Sequence, residues 1–301
     1  MHAWRSELAV PGSNERLIDH ALASEADVVF LDLEDAVAPT EKAAARLTVA
    51  QALSKDSWGN KPGAFRVNAL DTPYFYRDLI DVVEAAGGAL ALIVIPKVNR
   101  HEDVYVVDTL LRQIEGAQGI PQRIGIEVQI ETAEGLVNCE RIASASDRIG
   151  ALTFGPGDFA ASTGMPLTHI GVQDEWDERY PGHRWHYAMS RIVVAARAAG
   201  ARAIDGPYAD FRDLDGLRRS CEIARALGFD GKWCIHPAQI AVVNQVFGPS
   251  AAEIAWARRV LDESQDAAAR GKGALSIDGR MIDAASIRMA ERTLASASPE
   301  G

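Results

Sequence analysis

The sequence predicts an α/β protein built as a (β/α)8 TIM barrel with a C-terminal helical extension, and three observations predict it. Short runs rich in Val, Ile, Leu and Phe recur at intervals of roughly 30 residues. Each is followed by an Ala-rich stretch with helical spacing. The runs themselves, such as VVFLDL, ALIVIP and IGIEVQI, are apolar almost throughout. That is the pattern of a parallel strand covered by helices on one face and packed within on the other, since a two-faced antiparallel strand alternates more cleanly. Eight such units suit a closed barrel; an open doubly wound sheet with added strands is the alternative. Both place chemistry at the C-terminal ends of the strands.

In chain order, strands are expected at residues 6–10, 27–33, 64–68, 89–96, 124–130, 149–154, 202–205 and 232–235. Residues 164–185, GMPLTHIGVQDEWDERYPGHRW, form a polar, aromatic-rich insertion too long for an ordinary βα loop, placed to shape the mouth of a site. The barrel is expected over 1–247 and the extension over 248–301. Helices are expected at 238–246, 251–270 and 284–295, with a turn-rich stretch at 271–280. The last helices exceed what a barrel requires, which suits a lid or an arm reaching a neighbouring subunit.

A chain of 301 residues with 48% hydrophobic and 24% charged residues has the composition of a globular protein with a sizeable core. A net charge of -11 repels polyphosphates and anionic surfaces at long range, so neither nucleic acid nor membrane is an expected partner. A phosphorylated small molecule requires only a local basic cluster. Cys139, Cys221 and Cys234 are widely separated with no Cys-x-x-Cys pair, and read as reduced thiols of a cytoplasmic protein. No apolar run approaches the ~20 residues of a bilayer span, and the N-terminus lacks a secretion signal's apolar core.

Acidic residues gather where strands end. Asp32, Glu34 and Asp35 close the second unit, Glu127 and Glu131 lie in and just after the fifth strand, and Asp158 follows the sixth. Carboxylates facing one another at a barrel mouth repel unless some are protonated or a cation sits among them. Glu131 and Asp158 are one βα step apart, within reach of one ion. Oxygen ligands alone favour Mg2+, with Mn2+ as the alternative. The structural alternative is helix capping: Asp158 is an N-cap by type, and Glu131 precedes Thr132 at a helix start. Arg66 ends the third strand, where a guanidinium can hold a carboxylate or an enolate oxygen. Lys97 follows the fourth; for both, an ion pair with the Asp32 group is the plainer role. His236 ends the eighth strand without a partner motif and reads as a structural hydrogen-bonding residue.

The stretches RSELAVPGSNERLIDHAL, VVFLDLEDAVAPTEKAAAR, FRVNALDTPY, IEVQIETAEGL, ALTFGPGDFAAS and GFDGKWCIHPAQIAVVNQVF, in order between residues 5 and 293, resemble the citrate lyase β subunit and malyl-CoA lyase family. Within it, GKWCIHPAQI, IDGPYADFRD and DGRMIDAASIRMAER look most like the L-malyl-CoA/β-methylmalyl-CoA lyase branch. The resemblance implies a trimer-based assembly, homotrimer or hexamer, with Mg2+ on Glu131 and Asp158 and Arg66 on the carbonyl or enolate oxygen. It implies that Asp283 is an acid/base delivered by the neighbouring subunit, where sequence alone favours an N-cap before Ala284. The implied reaction is reversible cleavage of (S)-malyl-CoA to acetyl-CoA and glyoxylate, and of β-methylmalyl-CoA to propionyl-CoA and glyoxylate. Arg5, Lys42 and Lys97, with Asp35, are the candidate substrate and CoA contacts, solvated surface charge being the alternative for the three cations. A citramalyl-CoA lyase, a citrate lyase β subunit, a malyl-CoA thioesterase and a noncatalytic acyl-CoA-binding subunit are the competing readings. A pyruvate aldolase would want a histidine base near the first strands, whereas His20 falls inside an expected helix.

Overall fold

Eight parallel strands close on themselves in sequence order, β1 (Ser6–Pro11), β2 (Val28–Asp32), β3 (Gly63–Arg66), β4 (Leu90–Ile95), β5 (Gly125–Ile130), β6 (Ile149–Phe154), β7 (Arg202–Asp205) and β8 (Gly231–Cys234), with β8 hydrogen-bonded back to β1. The structure, a computed structural model, describes residues 4–297 apart from 181, 182, 270, 272 and 273. The helices are α1 (Glu15–Leu22), α2 (Lys42–Leu53), α3 (Phe75–Ala86), α4 (His101–Gln118), α5 (Ala133–Val137), α6 (Cys139–Ala143), α7 (Pro156–Thr163), α8 (Glu175–Arg179), α9 (His186–Ala198), α10 (Leu214–Leu227) and α11 (Ile240–Phe247). α12 (Ala251–Ala269), a hairpin β9 (Leu275–Ile277) and β10 (Arg280–Ile282), and α13 (Ala284–Ala297) follow.

Alternation along each strand explains the apolar runs. One set, including Val29, Leu31, Phe65, Ile93, Val128 and Leu152, points outward and packs under helix residues such as Ile18, Val49, Leu79, Val82 and Leu111. The other set, Phe30, Ala64, Leu92, Val94, Ala151, Ile204 and Trp233, fills the barrel interior. Leu79 has no exposed surface, so its truncation to Ala costs about 2–5 kcal/mol.

Local chemistry sets the helix starts. The Asn14 side chain accepts from Leu17 N at 3.1 Å and Asp213 from Gly216 N at 2.9 Å, each satisfying a donor the helix leaves orphaned. The insertion contains the short helix α8, capped by Asp174. The stretch at 271–280 departs from the expectation of turns alone. It carries β9 and the start of β10 around Asp278 and Gly279, both at positive φ, the requirement of a tight hairpin turn. The expected end of the preceding helix at 270 lies outside the described residues.

The extension has its own small core of Ala257, Val260, Ile277, Ile282 and Ala290. It is tied to the barrel by Arg292 Nη2 on Asp230 at 2.8 Å and by Arg225 on Glu253 at 2.8 Å. Asp230 leads into β8, so the first tie lies on the N-terminal face, opposite the mouth. Among the described residues no helix is long and apolar enough to cross a membrane.

Candidate active site

Strand order brings Asp32, Arg66 and Glu131 to one rim, because β2, β3 and β5 end at or just before them. Arg66 is buried and held on several sides. Its Nε and Nη2 donate to the two oxygens of Asp32 at 2.7 Å each, and its Nη1 lies 3.3 Å from Gln129 Oε1 and 2.7 Å from Glu34 Oε2. The Asp32 carboxylate also takes Glu34 N at 2.8 Å and Ala36 N at 3.1 Å, which fixes the loop after β2. Burial works to raise the Asp32 carboxyl, but the Arg66 guanidinium outweighs it and leaves the group lowered.

Lys97 follows β4 in a left-handed conformation, φ 52°, unusual for a residue with a side chain. That twist turns its N–H onto Glu131 Oε1 at 2.7 Å, while its ammonium pairs with Glu34 and stands 3.6 Å from Asp158 Oδ2. Glu131 is 3% exposed, and its second oxygen accepts from Gln129 Nε2 at 3.2 Å. Burial, with the charges of Glu34 and Asp158 beside it, pushes its carboxyl up to about 8 against the pull of Arg66 and Lys97. Burial likewise raises Glu34. Asp158 lies in the first turn of α7, its side chain 42% exposed, where the helix dipole favours negative charge. The alternative of an N-cap does not hold for Asp158, since that place is Gly155.

The donor set fits a hard divalent cation. Glu131 is a desolvated carboxylate with like charges beside it, and a Cβ built on Gly155 would overlap its Oε2 and its Cβ, so glycine there leaves the side chain its room. Among the described residues no group of three or more His, Cys, Asp and Glu forms a ready cage. Glu131 and Asp158 would therefore supply two ligands, with water and substrate oxygens for the rest, the usual habit of Mg2+.

Other expected residues sort differently. Asp35 is exposed and Lys42 buried, and both line an open cleft of about 490 Å³ with Glu34, Asn68, Tyr74 and Lys97. Lys42 is no solvated surface charge, since its ammonium donates to the carbonyls of Leu33 and Glu34 at 2.8 Å each. Arg5 does not join them: it precedes β1, on the opposite face, and is bound by Nε and Nη2 to Asp27 at 2.8 Å each. Asp283 caps α13 by accepting from Ala285 N and Ser286 N at 3.0 Å, and has no hydrogen bond or ion pair to Arg66, Glu131 or Asp158. His236 accepts from Ala238 N at 3.1 Å and stacks on Phe211, the structural role expected of it. Glu127, grouped with the mouth acids on sequence, lies below them inside the barrel with Glu7 and Trp233. Gln129 escaped notice as a neutral residue in an apolar run; its place two residues before Glu131 puts it on the same strand face.

Comparison with known proteins bears on this geometry. The family model described as HpcH/HpaI aldolase/citrate lyase matches residues 5–237. An L-malyl-CoA/beta-methylmalyl-CoA lyase from Cereibacter sphaeroides is 45% identical over 293 residues, covering 95% of this chain and 92% of that protein. A (3S)-malyl-CoA thioesterase of the same species is 36% identical over 298 residues, covering 98% and 95%. The crystal structure of CitE from Mycobacterium tuberculosis with magnesium, acetoacetate and coenzyme A superposes with a TM-score of 0.75 at 31% identity, covering 98% of each chain.

Proposed function

The chain belongs to the HpcH/HpaI aldolase/citrate lyase family, and from that membership we propose a Mg2+-dependent carbon–carbon lyase that reversibly cleaves (S)-malyl-CoA to acetyl-CoA and glyoxylate. The β-methylmalyl-CoA reaction, giving propionyl-CoA and glyoxylate, asks only for room for one more methyl group. The observation that carries the reading is the pairing, at one barrel mouth, of a fixed guanidinium, Arg66, with a desolvated carboxylate, Glu131, beside Asp158.

Cleavage breaks the bond between the hydroxyl-bearing carbon and the carbon next to the thioester. The hydroxyl gives up its proton to solvent as its oxygen becomes the aldehyde carbonyl of glyoxylate, and the bonding electrons pass into a thioester enolate, whose oxygen Arg66 would face with a charge already in place. When bound by Glu131 and Asp158, Mg2+ supplies Lewis-acid polarisation of the two-carbon fragment and a counter-charge for its carboxylate. Mn2+, with the same preference for oxygen, could substitute. A proton delivered to the enolate carbon completes acetyl-CoA, and Asp283 is the group assigned to that transfer. Asp283 has no bond to its own mouth, and its extension is tied to the opposite barrel face at Asp230. The reading therefore has residues 248–301 serve a neighbouring copy in a homotrimer or hexamer, within the cytoplasm. The cleft beside Lys42, Lys97 and Asp35 is the proposed approach for CoA.

The similarity to a thioesterase gives the competing reading a definite form, because the same site could activate water toward the thioester. Incubating the purified protein with Mg2+ and malyl-CoA separates the two. Glyoxylate and acetyl-CoA without free CoA thiol are expected; malate and free CoA would replace the lyase with a hydrolase.

A further inference from the structure

The interior of an α/β barrel is normally filled with branched aliphatic side chains. Here, beside Leu92, Val94 and Ile204, it also holds a polar, aromatic column. Glu7 of β1 and Glu127 of β5 are both without exposed surface. Trp233 of β8, 4% exposed, donates its indole N–H to Glu7 Oε2 at 2.6 Å, with Glu127 Oε1 at 3.3 Å. Thr153 Oγ1 donates to Glu127 Oε1 at 2.5 Å, and the Trp4 indole donates to Glu7. Burial, together with the Glu127 charge beside it, pushes Glu7 well above the usual carboxylate range, and burial raises Glu127 as well.

Stability does not ask for this arrangement. Burying carboxylates incurs a desolvation penalty, and apolar residues of similar volume serve a core at least as well. The column does lead somewhere. The Arg66 guanidinium lies over the Trp233 ring at 5.4 Å from its centroid, a cation–π contact. The edge of Arg66 donates to both oxygens of Asp32 and to Gln129 through three of its five N–H donors, and pairs with Glu34 as an ion at 2.7 Å. Those bonds hold the guanidinium from its rim but not against tipping through its face. The ring beneath supplies that missing restraint, and the ring can do so only if its own plane is fixed.

We propose that Trp233, anchored through its indole N–H by the Glu7–Glu127 pair, is a positioning residue that sets the plane of Arg66 and so the aim of its free Nη hydrogens at the substrate oxygen. The column thereby couples the middle of the barrel to its mouth. This rests on the role given above to Arg66, and a displacement of about 1 Å at such a group is worth on the order of 10²-fold in rate.

The test uses the full-length protein and the variants Trp233→Phe, Arg66→Lys and the double variant. Trp233→Phe should lower kcat for malyl-CoA cleavage roughly 10- to 100-fold, with KM near that of the parent and a melting temperature lowered by the lost buried hydrogen bond. The double variant should be no slower than Arg66→Lys alone, since both act through one guanidinium. An independent readout is the NMR resonance of the Arg66 Nε–H in metal-free protein, assigned by its loss in Arg66→Lys. It should shift and broaden in Trp233→Phe, whose ring lacks the N–H anchor. If that variant folds poorly, Glu7→Leu, which removes the acceptor and keeps the ring, should give the same rate loss and the same spectral change. Unaltered kcat with an unmoved resonance, or losses that multiply in the double variant, would overturn the proposal. A parent protein that releases no glyoxylate would sink the lyase reading instead, and the resonance would still decide the placement of Arg66.

Discussion

The barrel buries charge at both ends, and the two clusters balance differently. On the N-terminal face Arg148 donates to Asp108 at 2.5 Å and to both oxygens of Glu115 at 2.6 Å, while Arg112 takes the other oxygen of Asp108 at 2.5 Å. Two guanidiniums thus meet two carboxylates. Despite burial, the hydrogen bonds from Arg112 and Arg148 hold Asp108 down to about 2, and Glu115 is lowered as well. At the mouth Asp32, Glu34, Glu131 and Asp158 face Arg66 and Lys97, four carboxylates against two cations. With all four ionised, as metal binding requires of Glu131, these six groups carry two surplus negative charges, the charge of one Mg2+. A neutral buried network is structural by its own bookkeeping, whereas an unbalanced one with a carboxyl raised to about 8 points to something the chain does not itself supply.

Substitution at each end should break different properties. Asp158→Ala removes a proposed ligand from an exposed position, so metal-dependent turnover should fall by on the order of 10³-fold or more while circular dichroism and melting stay unchanged. Wild-type rates in that variant would remove the mouth's claim to be the metal site. Arg148→Met strips the buried Asp108 of one of its two guanidiniums and leaves the half-buried Glu115 without its partner, and should destabilise by about 3 kcal/mol, with kcat of the folded fraction preserved. Chemical denaturation measures the first quantity and active-site-normalised kinetics the second; a selective loss of kcat would erase the contrast. Asp283→Asn should slow turnover by about 10²-fold without weakening CoA binding. Mixing it with Glu131→Ala should restore activity if Asp283 works across subunits, and a mixture no better than its components would return Asp283 to capping α13.

How much of this was legible in the sequence follows from what each signal depends on. β6 and β7 have the bounds that periodicity predicts, because apolar runs between turns need no long-range information. The expected third strand ran two residues too far, since Val67 and Asn68 leave the ladder although Val67 is buried like a strand residue. The hairpin at β9 and β10 was hidden by strands of three residues each, yet Asp278–Gly279 is a turn signal that would have revealed it. Acids after strand ends identified Glu131 and Asp158 as neighbours at the rim. Arg5 failed the same logic because it comes before its strand, which sends it to the other face. Glu7 and Trp233 were invisible for a subtler reason. A glutamate within a strand reads as solvent-facing, and only closure of the barrel makes that face an interior.

The smallest expected effect is also the most direct test of the charge imbalance. In metal-free protein the Glu131 carboxyl, near 8 when folded and near 4.5 when free, holds a proton that the unfolded chain has released. Stability must then fall as pH rises through that interval, by up to about 1.4 kcal/mol per pH unit for one group. The lowered Asp108 and Glu115 act in the opposite sense, losing their contribution only on acidification, below the window that matters here. Mg2+ needs Glu131 ionised, so at pH 6 binding must expel a proton and at pH 9 it need not. The rise in melting temperature produced by a fixed Mg2+ concentration should therefore grow from pH 6 to about pH 8 and then level off. Glu131→Gln should abolish both the rise and its pH dependence, whereas Arg148→Met should lower the baseline and leave the Mg2+ increment intact. An increment independent of pH between 6 and 9 would mean that no proton is displaced at Glu131, and the two ends of the barrel would differ only in where their charges happen to lie.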